Sequence, residues 1–332
     1  MANNVPSVAV IVLNWNNWWD TIECLNSMQN LEYRNYCILI VDNGSGNDSQ
    51  QRIQDWISSV RGEAKTLDMD SGIPRMARLL NAGGKNGSPD YFLLGLKENL
   101  GYAGGNNAAI DIAQSAGFRY IWLLNNDTIV MPDSLQKLVV CAEHDSRTGM
   151  VASRLVNIFS DRPLPEIRVN FKSRCLESDS VKGASILVKS DCFRDIGLID
   201  EKYFCYFEDL DLSFRARQNG WKLFYDVRSI VFHKWGSSAG SLRIEKKFLT
   251  KTVMRVAWSG FQIPGYYEAR NGIYFIKKNR PFLFVPYAII RTLHLFFQIY
   301  IYDDHKWGRT KIIAKGAWDG ILGRMGKADI SS

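Results

Sequence analysis

Apolar and polar positions fall into two regimes along the chain. Short unbroken apolar runs with polar exits occur at residues 8–13 (Val-Ala-Val-Ile-Val-Leu), 36–41 (Tyr-Cys-Ile-Leu-Ile-Val) and 120–124 (Tyr-Ile-Trp-Leu-Leu). Each reads as a strand buried on both faces. Further strands are expected at 91–96, 183–188 and 222–232. Between them the spacing turns helical: at 18–29, where Trp19, Ile22, Leu25 and Met28 can share a face, at 49–60, at 132–143, and at 208–218, which closes at Asn219-Gly220. Strand–helix–strand order predicts parallel pairing and right-handed crossovers. Residues 61–89 are rich in Gly, Lys, Asp and Ser without periodicity and read as a long loop. No internal repeat is visible.

From about residue 236 the pattern changes. Arg243, Lys246, Lys247, Lys251 and Arg255 cluster, and residues 266–278 read as an amphipathic helix. Residues 282–302 are apolar over a length that raises a membrane span. Pro286, Arg291, His294 and Gln298 argue against a simple lipid-exposed one. Lys277, Lys278 and Arg280 precede it, and Lys306, Arg309, Lys311 and Lys315 follow. That flanking suits an interfacial helix on an anionic leaflet; the alternative is a buried helix packed on the main domain or on a second copy. The expected division is residues 1–238 and a basic, apolar, helical region at 239–332.

Composition narrows the class. The chain has 332 residues, 46% hydrophobic and 23% charged, which fits a globular protein with a real core. Its net charge of +7 favours an anionic partner, although solubility alone accounts for such a total. The basic residues trail the apolar C-terminal part and form no stripe with aromatic stacking positions, which argues against nucleic acid. Six cysteines are scattered without a C-x-x-C pair and read as buried thiols. Residues 8–13 are too short, and lack the basic leader, for a signal peptide. A reducing cytosol is the expectation.

Candidate chemistry gathers at the strand exits. The run at 120–124 leads into Asn125-Asn126-Asp127, and ligands collect beyond the carboxyl ends of strands in open α/β sheets. Asp127 suits a hard cation such as Mg²⁺ or Mn²⁺; taken alone, the triplet reads as a turn or helix cap. A second cluster, Phe207-Glu208-Asp209-Leu210-Asp211, and His233 at the end of a strand add a base and a second ligand. Asn99-Leu-Gly-Tyr-Ala-Gly-Gly-Asn-Asn107 leads into a helix that runs to about Ala116. Its glycines allow close backbone approach to a ligand and its helix start favours phosphate; a plain Gly-rich cap is the alternative.

These stretches, with the opening Val-Ala-Val-Ile-Val-Leu-Asn-Trp-Asn and Val41-Asp-Asn-Gly-Ser45, resemble family 2 glycosyltransferases of the GT-A fold over about residues 5–280. Within that family they look most like the bacterial rhamnosyltransferase and galactofuranosyltransferase branch. The resemblance implies an α/β, Rossmann-like, mostly parallel sheet with a C-terminal helical extension, and inverting transfer from a nucleotide sugar. It implies that Asp42 contacts the nucleotide base and that the loop at Asn14 lines the nucleotide pocket. Asn99, Gly101, Gly104 and Asn106 match the donor-binding glycine loop. Asp127 matches the last acid of the D-x-D element, with Asn125 and Asn126 in its first two positions. His233 matches the histidine completing metal coordination.

Asp209 resembles the catalytic base, with Glu208 raising its pKa or binding acceptor, and Asp211 structural. Trp122, Trp235, Gly183 and Ala184 are candidates for the sugar pocket, core packing being the better reading of Trp122. Arg215 and Arg217 are candidates for orienting the carboxylates, or equally solvated helix charges. Arg270 and Asn271, in a Tyr-Tyr-x-x-Arg-Asn element, are assigned to diphosphate or membrane-side contacts.

The lead expectation is therefore a metal-assisted rhamnosyltransferase using dTDP-L-rhamnose. Its acceptor is a lipid-linked glycan of bacterial surface polysaccharide (O-antigen), reached at the cytoplasmic face of the inner membrane by peripheral contact, with homo-oligomerisation open. A UDP-sugar donor (galactofuranose, galactose or GlcNAc) is the nearer alternative. A non-catalytic, membrane-docked nucleotide-binding scaffold is the alternative of another class.

Overall fold

The computed structural model describes residues 5–62, 64–81, 89–159, 174–234, 241–248, 251–258, 262–302 and 306–329. Trp235 lies outside them. The chain divides into two compact units: residues up to Ile199 with Leu212–Lys234, and Asp200–Asp211 with the residues after Lys234.

The first unit opens β1 (Val8–Asn14), α1 (Trp18–Met28), β2 (Tyr36–Asp42), α2 (Ser49–Arg61), β3 (Lys65–Leu67), α3 (Ile73–Asn81), β4 (Tyr91–Gly95), α4 (Gly101–Ser115), β5 (Tyr120–Asn125) and β6 (Thr128–Val130). It continues with α5 (Ser134–Ala142), β7 (Thr148–Asn157), β8 (Cys175–Glu177), β9 (Ser185–Lys189) and α6 (Ser190–Ile196). Helix α7 (Glu208–Gln218) and β10 (Lys222–His233) follow. The described strands of this unit form one sheet in the order β3-β4-β2-β1-β5-β9-β7-β10-β6, with β8 beside β10. Pairing is parallel from β3 through β5 and between β7 and β10; β9, β6 and β8 run antiparallel to their neighbours.

Alternation explains the uniformly apolar strands. Val8, Val10 and Val12 face one layer with Leu25 and Met28 of α1, Ile53 and Ile57 of α2, and Leu135 and Leu138 of α5. Ala9 and Ile11 face the other layer with Met76 of α3 and Ala109 and Ile110 of α4. A strand covered on both faces has no position at which a polar side chain meets water.

Three expectations change here. The loop at 61–89 holds a short strand and a helix: α3 buries Met76, Ala77 and Leu80 under the sheet, a spacing masked by the polar residues around it. Helix α1 turns Asp20, Thr21, Cys24, Leu25 and Met28 inward and leaves Trp19 exposed, so polar residues share its buried face. The glycine stretch lies within α4 rather than in a loop before it.

The second unit holds the hairpin β11 (Ser241–Phe248) and β12 (Lys251–Trp258), then α8 (Gln262–Asn279), α9 (Phe284–Tyr302) and α10 (Lys306–Leu322). The basic cluster expected in a helical region thus lies on an antiparallel hairpin. Helices pack through Ala269, Leu295, Ile299 and Ile313 and through Ile273, Ala288 and Ala317. Glycines make α10 approach α8 closely: a Cβ on Gly316 would lie 2.5 Å from the Tyr266 carbonyl oxygen, and one on Gly320 2.6 Å from that of Arg270. The segment Pro281–Tyr300 is long and apolar enough to cross a membrane, by length and composition.

Candidate active site

The parallel register of β1 and β2 ends with Asn14 opposite Asp42, so two polar side chains meet where both strands stop. Asp42 is buried and its carboxylate accepts from Asn14 Nδ2 at 2.7 Å, Ser45 Oγ at 2.8 Å and the Ser45 amide at 3.0 Å. Thr21 Oγ1 on α1 donates to Asn14 Oδ1 at 2.9 Å, and Asn126 Nδ2 donates to Thr21 Oγ1 at 3.0 Å. A chain of hydrogen bonds thereby runs beneath the strand ends from Asp42 to the Asn-Asn-Asp triplet.

The adjoining loop is docked on the start of α4. Asn43 Nδ2 donates to Asn99 Oδ1 (3.1 Å) and to the Gly101 carbonyl (3.0 Å), and Asn43 Oδ1 accepts from the Leu100 amide (3.0 Å). Gly44 has φ +66°, and a Cβ there would stand 2.3 Å from the Glu98 carbonyl carbon, so only glycine fits. Asn106 is buried and donates to the Tyr102 carbonyl of its own helix at 2.8 Å; Gly104 is buried on the same helix.

Asp127 and His233 come together through the sheet. The antiparallel pairing of β6 with β10 sets Thr128 opposite His233, and Asp127 immediately precedes β6. Both side chains are buried, with Asp127 Oδ1 3.0 Å from His233 Nε2. The Lys234 amide donates to the Asp127 carbonyl at 3.0 Å, and its ammonium is ion-paired with Asp20 and Glu23. Burial pulls the Lys234 pKa down, but these two carboxylates outweigh it and hold it above its ordinary value.

A hard divalent ion bound at about 2.1 Å places neighbouring octahedral ligands about 3.0 Å apart. The Asp127–His233 separation fits two such ligands on one ion. Asn125 Oδ1 is buried without a hydrogen-bond partner among the described residues.

In the second unit, Glu208 and Asp209 begin α7. Glu208 is buried, and its Oε2 has no hydrogen-bond partner among the described residues. Burial, and then the Asp209 charge, push its carboxyl up to about 8. Asp209 Oδ1 accepts from the Leu210 amide at 2.7 Å. Asp211 is fully buried and accepts from Tyr203 Oη (3.1 Å), Lys278 Nζ (2.9 Å) and Asn279 Nδ2 (3.3 Å), a structural role.

Several other assignments are corrected. Arg270 and Asn271 are buried, 1% and 0% exposed, and their polar atoms bind backbone carbonyls of the second unit, so they offer nothing to a diphosphate or a membrane. Arg215 donates to the Leu198 carbonyl at 2.8 Å and Arg217 pairs with Asp179 at 2.8 Å. Trp122 is core, the preferred reading, its Nε1 donating to Ser185 Oγ at 3.0 Å. Ala184 is buried, and the Gly183 carbonyl accepts from Tyr102 Oη at 2.9 Å. Cys24, Cys37 and Cys192 are buried thiols as expected, but Cys141 and Cys175 form a disulfide across 34 residues, a pairing that sequence spacing does not reveal.

Sequence reasoning missed Thr21, Asp20 and Lys234. The signal for the first two was a pair of polar residues on the α1 face that carries Cys24 and Met28; for Lys234 it was adjacency to His233.

The sequence profile of glycosyl transferase family 2 matches residues 9–194. An uncharacterized protein of Mycobacterium tuberculosis is 29% identical over 173 residues, 44% of this chain and 64% of that protein. The chain thus matches under two thirds of the length of such curated relatives. The N-acetylglucosaminyl-diphospho-decaprenol L-rhamnosyltransferase of the same species is 37% identical over 60 residues, 18% of this chain and 20% of that one. Among solved structures, the mannosyltransferase PcManGT of Pyrobaculum calidifontis, in complex with GDP-Man and Mn²⁺, aligns at TM-score 0.56 and 14% identity, covering 96% of this chain and 76% of that one. GalNAc-T7 with UDP, GalNAc and Mn²⁺ aligns at 0.59 and 13%, covering 96% and 56%. At such identities the likeness is one of fold: a mixed α/β, GT-A architecture.

Proposed function

The chain belongs to glycosyl transferase family 2, and from that premise we propose that it moves L-rhamnose from dTDP-L-rhamnose to a lipid-linked glycan of a bacterial surface polysaccharide. The observation that carries a metal-assisted transfer is the buried Asp127–His233 pair, spaced for one ion beside the Asp42–Asn14 strand ends. The rhamnose donor is supported by the motif resemblance and by the short match to a rhamnosyltransferase.

Asp209 acts as base in this reading. An acceptor hydroxyl gives its proton to the Asp209 carboxylate as its oxygen bonds to the anomeric carbon. The bond from that carbon to the donor diphosphate oxygen breaks, and its electron pair leaves with the nucleoside diphosphate. One displacement inverts the anomeric configuration. Asp42 and Asn14 hold the nucleoside, and the segment at Asn99 and Gly101, fixed by Asn43, borders the donor. A divalent ion held by Asp127 and His233 would neutralise the charge that grows on the leaving diphosphate.

The acceptor end of the reading rests on α9. Val285, Ile289, Ile290, Leu293 and Phe297 are all exposed on it, between basic flanks. Such a stripe supports peripheral contact with an anionic membrane, at its cytoplasmic face.

The test is thermal stabilisation by dTDP-L-rhamnose, UDP-galactofuranose, UDP-galactose and UDP-GlcNAc, each with Mn²⁺, Mg²⁺ or chelator. A ligand that binds only the folded state raises Tm. A metal-dependent shift with dTDP-L-rhamnose is expected. A shift only with a UDP-sugar replaces the donor. No metal-dependent shift with any of them favours the scaffold reading, which the uncharged Asn125 and Asn126 keep alive.

A further inference from the structure

The four residues before Glu208 adopt an unusual backbone. Phe204, Tyr206 and Phe207 have φ of +63°, +66° and +72°, a region that disfavours a Cβ and that aromatic side chains rarely enter. Three such residues within four persist only when their surroundings impose the conformation. The turn ends where Glu208 and Asp209 begin.

One side chain accounts for much of that imposition. Asn271 Nδ2 lies 3.0 Å from the Tyr203 carbonyl, 2.7 Å from that of Cys205 and 2.8 Å from that of Tyr206, its two N–H protons shared among the three acceptors. Its own Oδ1 accepts from Arg270 Nε at 2.9 Å, which fixes which end of the amide faces the turn. Arg270 completes the fork by donating to the Tyr203 carbonyl at 3.1 Å and the Gly326 carbonyl at 2.7 Å. The rest of the α8 face fits the same turn. Tyr267 stacks on Phe204 at 5.5 Å, and Gly272 leaves room for Phe207, whose Cζ would stand 3.0 Å from a Cβ at that position. Lys278 and Asn279 hold Asp211 one helical turn further on.

We propose that Asn271, locked by Arg270, is a positioning residue for sugar transfer: it sets the left-handed turn at 204–207 and through it the aim of the Glu208–Asp209 carboxylates. The proposal rests on the reading of Asp209 as base. An amide is needed because a turn with three convergent carbonyls demands donors. An aspartate of the same shape offers only acceptors, and an alanine offers nothing. Arg270 is needed because it holds the amide the right way round.

The experiment compares the full-length chain with Asn271→Ala, Asn271→Asp and Arg270→Lys, and with Asp209→Asn alongside. Hydrogen exchange reads the amides of residues 204–209 in each. Transfer is followed with dTDP-L-rhamnose and Mn²⁺ onto a short polyprenyl-diphospho-N-acetylglucosamine, or with whichever UDP-sugar shifts Tm. Both Asn271 variants should exchange faster at 204–209 with the sheet of the first unit unchanged. Their kcat should fall at least tenfold while donor KM and the donor-induced Tm shift stay within twofold. Arg270→Lys should give the same split, smaller in size; it serves as the folded variant if both Asn271 variants fail to fold.

Wild-type exchange at 204–209, or a kcat in Asn271→Asp equal to the parent's, overturns the proposal. So does a loss of donor binding in step with kcat, which would mark a merely structural residue. Transfer retained in Asp209→Asn would instead overturn the assignment of the base. Asp209→Asn inactive with the Asn271 variants fully active would overturn the positioning role alone.

Discussion

Asp127 and His233, 106 positions apart in sequence, meet with their Oδ1 and Nε2 atoms 3.0 Å from each other. The pairing of β6 with β10 brings them there, because Thr128 stands opposite His233 and Asp127 is the residue before it. Removing either side chain should therefore remove metal dependence without disturbing the sheet. Asp127→Ala and His233→Ala are expected to weaken metal affinity by at least about 10-fold. Titration of the donor-induced Tm shift with Mn²⁺ checks this; an unchanged Mn²⁺ midpoint in both variants would place the ion elsewhere.

Asp42 accepts three hydrogen bonds while almost fully buried, so its loss strands Asn14 and Ser45 together. Asp42→Ala should lower stability by about 1–3 kcal/mol, the range for orphaned buried polar groups. It should also lower nucleotide affinity. Denaturant unfolding and nucleoside diphosphate binding read the two effects separately, and a variant with parental values in both would remove Asp42 from the site.

Glu208 makes stability depend on pH with a definite sign. Its folded pKa of about 8 exceeds the ordinary 4.5, through burial and then the Asp209 charge. The unfolded carboxyl therefore loses its proton first as pH rises. Its contribution is fully present below about pH 4.5, declines above that, and is exhausted once the folded group ionises near pH 8. Glu208→Gln cannot ionise. Its Tm should match the parent at the acid end and exceed it increasingly up to about pH 8; parallel curves would contradict the buried, proton-retaining carboxyl.

The exposed stripe on α9 predicts where membrane affinity resides. Ile290 and Leu293 are 67% and 61% exposed, so replacing both with glutamate should leave Tm unchanged. Flotation with anionic phosphatidylserine vesicles should fall sharply in that double variant. Equal flotation of parent and variant would assign this face to another partner.

The sequence made the central sheet legible because its strands are buried on both faces, and such strands appear as unbroken apolar runs at 8–13, 36–41 and 120–124. The D-N-G-S and N-N-D exits were legible for the same reason: polarity returns abruptly where burial stops. Helix α3 was hidden because only Met76, Ala77 and Leu80 of its nine residues are buried. The roles of Arg270 and Asn271 were hidden because their partners are backbone carbonyls, which every residue carries and no sequence displays. The Cys141–Cys175 bond depends on α5 and β8 meeting, a tertiary fact absent from either segment.

The hydrogen bonds under the strand ends have a direction as well as a length. The amide nitrogen of Asn14 donates to Asp42, so its oxygen faces Thr21. The Thr21 hydroxyl then has acceptors at both Asn14 Oδ1 and the Asn17 carbonyl, and its single proton is committed to them. Only a donor can approach its remaining lone pairs, and Asn126 supplies one. A carboxylate at position 126 would meet lone pairs there. The uncharged residue in the middle of the triplet thus matches a direction of donation that runs from the end of β2, through two intervening side chains, to the residue before Asp127.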